Sequence, residues 1–263
     1  MCKRYSEENN KKIINISEGK MIPKVIHYCW FGHNQKSELI NKCICSWKKY
    51  MPDYEIKEWN ESNFDISQTP FCEKAYNLKK WAFVSDYARF KILYELGGIY
   101  LDTDAELLKS IPNSILKQKA FTGVESTNRI SPGLIFACEP KEPVVGEILD
   151  IYENNTFDEK TPITVNDIVT NLFKKKGYIV NGEFQIVDNI AIYPSEIFCG
   201  HDLDIGVTNP TEKTISVHHY EGSWKKRSVK SYVLRPLKKI IGIKKYEKLL
   251  LLKRRLVSKN DRR

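Results

Sequence analysis

The strongest chemical signal in the sequence is a pair of aspartates. Asp102 and Asp104 stand two residues apart at the exit of a short apolar run, Ile99 to Leu101. Side chains alternate along an extended chain, so positions two apart can point the same way. Two carboxylates so placed repel unless something positive lies between them, and a hard divalent cation such as Mg²⁺ or Mn²⁺ suits oxygen ligands of this kind. Taken alone, Asp-x-Asp is a weak motif and more often the mark of an acidic turn at a strand end. Upstream, Asp86 and Arg89 are three apart in a helical stretch and share a face. As an exposed ion pair they would contribute only about 0.2–0.5 kcal/mol. Far downstream, His218 and His219 end another short apolar run. Adjacent residues on a strand face opposite ways, so only one imidazole can join a ligand set, and imidazole suits Mn²⁺ tolerably.

These residues need elements to hold them. Val25 to Trp30 is a short, mostly apolar run and predicts a buried strand. Ser37 caps a helix with Leu39, Ile40, Cys43, Ile44 and Trp47 on one face, stopped by Pro52-Asp53. Tyr54 to Trp59 predicts a second strand. A longer helix runs from about Leu78 to Leu96, ended by Gly97-Gly98, and delivers the chain into the strand Ile99 to Leu101. Further strands are predicted at Phe121–Val124, Leu134–Cys138, Ala191–Tyr193 and Thr214–His218, and helices at Val144–Tyr152 and Thr164–Phe173. Strands alternating with helices imply an α/β sandwich with a largely parallel sheet, whose ligands sit at the carboxyl ends of strands. Trp30 and Asp102 both stand at such ends.

Length and composition limit the alternatives. The chain has 263 residues, 41% of them hydrophobic, enough for one large domain with a core. Its formal charge is +9, but residues 225–263 alone hold 16 lysines and arginines against two acids, which leaves 26 basic and 31 acidic residues in 1–224. The globular part is therefore mildly acidic. No run approaches the ~20 apolar residues of a membrane span. Residues 1–20 are polar and charged, lack a signal-like apolar region and read as an extension, so that Met21 could itself be the native start. Seven cysteines without a CxxC pair argue against a zinc ribbon or disulfide framework and for a reducing, cytoplasmic setting. The expected organisation is an extension, 1–20; a catalytic domain, 21–224; and a basic tail, 225–263.

Three blocks of sequence resemble a known family: IPKVIHYCWFG with SWKKYMPDYEIKEWNE, SDYARFKILYELGGIYLDTD, and HHYEGSW. They are similar to Asp-x-Asp glycosyltransferases of the GT-A fold. The likeness is greatest to the family of the Och1-like yeast mannosyltransferases and the bacterial capsule and lipopolysaccharide sugar transferases. The catalytic domains of the large clostridial glucosylating toxins share the pattern. The resemblance implies a Rossmann-like nucleotide-sugar domain and a retaining transfer of a hexose. It matches Trp30 to the residue that stacks on the nucleotide base. Asp86 and Arg89 match the pair that holds the donor sugar and helps neutralise the diphosphate, and Tyr100 matches the residue before Asp-x-Asp. Asp102 would hold ribose and metal, and Asp104 the metal. His219, which starts a His-Tyr-x-Gly string as in related retaining galactosyltransferases, would be the third ligand, with His218 the alternative. Ser223 and Trp224 match a lid over the β-phosphate. The implied cofactors are Mn²⁺ or Mg²⁺ and a nucleotide sugar, UDP-linked by the toxin-like context of Trp30. The implied acceptor is a saccharide or lipid-linked saccharide of a bacterial surface polysaccharide. Thr161-Pro162 stands where the family commonly has Thr-Gly-Pro. Glu125, Asn128 and Asp167 lie in segments that could border the acceptor, and spacing selects none of them.

In the tail, Ile243, Tyr246, Leu249, Leu252 and Leu256 form a helical stripe flanked by lysines and arginines. The pattern reads as an in-plane binder of anionic membrane, or as a packed C-terminal helix with a solvated charged face. A protein-modifying, toxin-like transferase is a second enzyme reading. A nucleic-acid-binding module using the tail is a third, but Tyr232 and Tyr246 are its only aromatics and stacking would need more, so no nucleic acid is expected.

Overall fold

The computed structural model describes residues 21–203 and 206–221. The expected extension and basic tail, and with them Ser223 and Trp224, lie outside the described residues. In chain order the elements are β1 (Val25–Cys29), α1 (Glu38–Tyr50), β2 (Glu55–Trp59), α2 (Pro70–Asn77), α3 (Trp81–Leu96), β3 (Gly98–Tyr100), β4 (Ala105–Leu107) and α4 (Asn113–Leu116). There follow β5 (Ala120–Gly123), β6 (Phe136–Cys138), α5 (Pro143–Glu153), α6 (Val165–Lys175), β7 (Gln185–Val187), β8 (Ile190–Tyr193), α7 (Ser195–Phe198), β9 (His201–Asp202), β10 (Val207–Thr208) and β11 (Ser216–His218).

The fold is α/β, built on a seven-stranded sheet ordered β2-β1-β3-β6-β5-β8-β7. β1 pairs in parallel with β2 and β3, and β5 with β8, while β6 and β7 run against their neighbours. Five of the seven strands thus point one way, and their carboxyl ends define a single edge. Strand parity sorts the core into two layers. Ile26, Tyr28, Ile99 and Leu101 face α1, α4 and α7; Cys29 and Tyr100 face α2, α3, α5 and α6. α3 is buried on most sides, with Phe83, Val84, Tyr87, Ala88, Phe90, Ile92 and Leu93 all in the core. That is why it shows no clean apolar stripe in the sequence.

Most expected elements appear within a residue or two of their predicted ends. The helix expected from Leu78 begins instead at Trp81, behind a separate helix, α2, whose N-cap Thr69 accepts from the Cys72 amide and whose first residue is Pro70. Lys79 takes a left-handed φ of 56° between them, so the two helices cannot merge. β4 was not legible as a strand. It gains its identity by pairing antiparallel with β11, a partner more than a hundred residues away.

The turn into β3 holds a polar core device. Gly97 ends α3 at φ 63° and Gly98 follows at φ 102°, backbone that glycine adopts at little cost. A Cβ on Gly98 would lie 2.8 Å from His27 Nε2. His27 Nε2 is 3.0 Å from the Gly97 carbonyl, and the Trp59 indole donates to His27 Nδ1 at 3.1 Å. A carbonyl only accepts and an indole N–H only donates, so the ring is the neutral Nε2–H tautomer. Burial lowers its pKa from 6.5 to about 4. In the interval between those values the unfolded chain binds a proton that the folded chain refuses, so stability falls as pH falls. Between pH 7 and pH 5 this group alone should remove about 2 kcal/mol. Urea denaturation at the two pH values should show it, and His27→Asn, though less stable at pH 7, should show a shallower decline. An equal decline in both proteins would count against this account.

Candidate active site

α3 and β3 bring the acidic and basic residues to the sheet's carboxyl edge. Beside them opens a cleft of about 630 Å³ lined by Trp30, Trp81, Ser85, Arg89, Asp102, Asp104, His218 and Tyr220, among others. Asp86 and Arg89 do share a helix face, but they are not a surface pair: they are 7% and 3% exposed. Arg89 Nη2 donates to Asp86 Oδ1 at 2.7 Å and lies 3.2 Å from Asp102 Oδ1. Its guanidinium carbon sits 4.7 Å from the centre of the Tyr100 ring, and Tyr100 is itself buried. Its Nη1, also buried, has no hydrogen-bond partner. Burying an ion pair carries a desolvation cost that stability alone does not readily recover. An unpartnered N–H beside a cleft is a donor prepared for something that enters it.

The two aspartates lie side by side as expected, and His218 completes the group. His218 Nε2 is 3.1 Å from Asp104 Oδ1 and 3.7 Å from Asp102 Oδ2. One ligand atom from each of the three residues lies within 4.8 Å of the others. Asp104 is further held by the Glu221 backbone N–H, which donates to its Oδ2 at 2.9 Å. Neither ring nitrogen of His218 has a partner of hydrogen-bond geometry, and its ring packs edge-on to Tyr220 at 4.2 Å. Two carboxylates and an imidazole converging on one point, with ring nitrogens unspent, fit a hard divalent cation that keeps open positions.

The electrostatics agree. Burial alone would lower the His218 pKa, but the Asp104 and Asp102 carboxylates overcome it and lift the value to about 10. Burial would raise Asp104, yet His218 and the Glu221 amide hold it down at about 2. Asp102 is lowered too, Arg89 and His218 outweighing its burial. Asp86 goes the other way, to about 7, because burial dominates and Arg89 is shared with Asp102. The cluster is built to hold positive charge.

His219, the imidazole expected from its string, is not in this group. Its Nε2 is 2.8 Å from Glu106 Oε2, and Glu106 also binds Lys42 at 2.9 Å. The pairing of β11 with β4 places His218 opposite Ala105, beside the aspartates, and turns the next side chain outward. The alternation rule required one of the two to face away, and only the register of a long-range pair decides which.

Trp30 stands at the end of β1, half-buried on the cleft, its indole donating to the Asn34 carbonyl at 2.7 Å. Trp81 faces the same cleft and was not singled out from the sequence. Gly32, at φ 91°, lies so close under it that a Cβ there would be 2.6 Å from the indole ring. Gly133 has no local signal in the sequence. Its carbonyl accepts from the Asp102 amide at 2.9 Å, and a Cβ on it would fall 2.0 Å from Asp102 Oδ2. Glu125, Asn128 and Asp167 do come together, as the bracing of one loop. Glu125, 2% exposed, accepts from Arg129, Thr127 and Asn166, and Arg129 reaches Asp167 at 2.9 Å. Asn128 forms the turn at φ 61°.

Residues 37–122, from the cap of α1 to β5, match the family model described as glycosyltransferase sugar-binding region containing DXD motif. The chain is 31% identical over 137 residues to inositol phosphoceramide mannosyltransferase 1 of Schizosaccharomyces pombe, covering 48% of this chain and 41% of that protein. It is 29% identical over 99 residues to inositol phosphoceramide mannosyltransferase 3 of the same yeast, 34% of this chain and 26% of that one. The chain thus spans less than half the length of these relatives. Among solved structures, the PaToxG glycosyltransferase aligns with a TM-score of 0.47 at 21% identity, over 59% of this chain and 69% of its own. Asp102 and Asp104 lie within the matched segment.

Proposed function

We propose that the protein is a metal-dependent, retaining glycosyltransferase that moves a hexose from a nucleotide sugar, UDP-linked, to a saccharide or lipid-linked saccharide acceptor. The observation that carries this reading is the convergence of Asp102, Asp104 and His218 beside the unpartnered Nη1 of a buried Arg89. Asp102, Asp104 and His218 would hold Mn²⁺ or Mg²⁺, which supplies Lewis-acid stabilisation of the negative charge that builds on the leaving diphosphate.

The remaining roles belong to the chain's own groups. Arg89 is a fixed cation, prepaid in desolvation and braced by Asp86 and the Tyr100 ring, so its free N–H meets developing charge without reorganisation. Trp30 and Trp81 offer aromatic surface for the nucleotide base. Glu221 orients Asp104 through its backbone and, through its carboxylate, accepts from Ser37, the cap of α1. A same-face displacement lets the departing phosphate take the acceptor's proton, so no protein base is required. The yeast relatives, both inositol phosphoceramide mannosyltransferases, point to a sugar acceptor carried on a membrane lipid. A role in bacterial surface polysaccharide assembly is the setting that the sequence blocks favour.

The test is a panel of UDP- and GDP-sugars with the full-length protein, scoring slow donor hydrolysis with Mn²⁺, with Mg²⁺ and after EDTA. One UDP-hexose should be hydrolysed, EDTA should stop it, and Mn²⁺ should restore it. Failure of every donor to be turned over or to raise the melting temperature would overturn the reading.

A further inference from the structure

Outside the cleft, the most unusual surface lies at the far end of the sheet. Ile179, Val180, Phe184 and Ile186 are 64%, 40%, 48% and 61% exposed. Single exposed apolar residues are ordinary, but four large ones within eight positions form a patch that calls for a partner. Two flanking lysines, Lys174 and Lys175 at the end of α6, are exposed and make no ion pair among the described residues, whereas Lys176 is paired with Glu147 and Asp188.

The patch has a fixed place relative to the site. β7 runs against β8, pairing Gln185 with Ile192, so the segment that enters β7 lies at the carboxyl end of β8. That is the same sheet edge that carries Asp102. The segment is firmly seated: the Tyr178 hydroxyl donates to the Asn128 carbonyl at 2.8 Å, and the Phe184 ring lies 5.0 Å from that of Tyr193. From β3 to β7 is four strand steps, roughly 19 Å at ordinary strand spacing.

We propose that residues 174–186 form a bilayer-contact edge, in which the apolar side chains enter the interface of an anionic membrane and Lys174 and Lys175 meet its headgroups. Exposed apolar side chains with two unpaired lysines in one segment, against the single exposed acid Glu183, are the chemistry that such a surface recognises. A second copy of the chain is the poorer occupant. β7 is an edge strand of three residues, too short to template a strand partner, and two like-charged lysines would face their own copies across a two-fold interface. The proposal deepens the functional reading, since it rests on a lipid-carried acceptor. It would lay the sheet's open edge along the membrane, with β3, which leads into the cleft, about 19 Å from β7.

The test is flotation of the full-length protein with phosphatidylcholine–phosphatidylglycerol vesicles and with pure phosphatidylcholine. Residues 225–263 are strongly basic and add their own attraction, so binding is read at raised salt, where charge alone is screened. Ile179→Ser/Ile186→Ser should weaken binding about tenfold or more. Lys174→Glu/Lys175→Glu should weaken it at low salt by at least roughly fivefold per lysine. Phe184→Trp should add tryptophan emission that brominated lipids quench. Both double variants replace exposed residues and should keep the parent melting temperature and its vesicle-free donor hydrolysis. Unchanged vesicle binding by both would overturn the proposal, as would a dimer in gel filtration that Ile179→Ser/Ile186→Ser dissociates. If the parent hydrolyses no donor, the functional reading fails whatever the vesicles show.

Discussion

Asp104→Asn should abolish donor hydrolysis, lowering it by about three orders of magnitude, while leaving the fold intact. The amide keeps the size of the side chain and an oxygen for the Glu221 N–H that now donates to Asp104 Oδ2. It removes one of the two negative charges on which the Lewis acid depends, and metal stabilisation of a leaving diphosphate is worth several kcal/mol of barrier. The stability outcome separates this from damage. In the absence of metal, Asp102 and Asp104 repel, with His218 and Arg89 nearby to offset the repulsion. Removing the Asp104 carboxylate also takes from His218 its nearest counter-charge, so without metal the variant should still unfold cooperatively but melt somewhat below the parent. Addition of Mn²⁺ should raise the parent's melting point: at a hundred times the dissociation constant the gain is about 2.7 kcal/mol, several degrees for a chain of this size. The variant should show little or none of this shift. Full activity in Asp104→Asn, or a parent whose melting ignores Mn²⁺, would remove the metal from the mechanism.

The second large effect is expected from a residue with no functional group. Gly133 is not among the glycines of positive φ, so alanine there meets no left-handed backbone and the experiment reads chiefly space. The added methyl would lie 2.0 Å from Asp102 Oδ2 and 3.2 Å from Arg89 Nη1. The first distance is far inside contact, so the carboxylate must swing away from His218 and Arg89. Overpacking of this kind costs about 1–3 kcal/mol of stability. A shift of about 1 Å in a positioning group can cost about a hundredfold in turnover, and a drop of that order is expected for Gly133→Ala in the donor-hydrolysis assay. Calorimetric titration should show weakened Mn²⁺ binding alongside it. If activity and Mn²⁺ affinity both survive, Asp102 has more freedom than its packing indicates.

The two cases show what the sequence could and could not reveal. Periodicity placed β1, α1, β2 and β3 well, because each has a local signature: an apolar run, a capped stripe, or a double glycine. The Asp-x-Asp, Asp86 and Arg89 were legible because their spacing is local. What stayed hidden depends on long-range register. β6 and β7 run against the other strands of the sheet, and nothing in Phe136–Cys138 or Gln185–Val187 marks their direction. His218 and His219 are equivalent until the pairing of Ser216 with Leu107 fixes which one faces the aspartates. Gly133 matters only because the Asp102 carboxylate lies against its Cα. α2 escaped although Thr69 and Pro70 are a proper helix start, because the residues before them, Asn60 to Gln68, are mostly polar.

The short ladder between β4 and β11 also bears on synthesis. Asp102 and Asp104 are made early, and His218 and Glu221 more than a hundred residues later. While the ribosome is still translating the intervening segments, the nascent chain holds an acidic pair with no imidazole opposite it and no amide to orient Asp104. The site closes only when β11 docks, so any cation it retains would tie the last described strand to the middle of the chain. Affinity for metal would then belong to the finished fold, and a chain stalled or cleaved before that strand would be inert toward donor sugars even with its Asp-x-Asp complete.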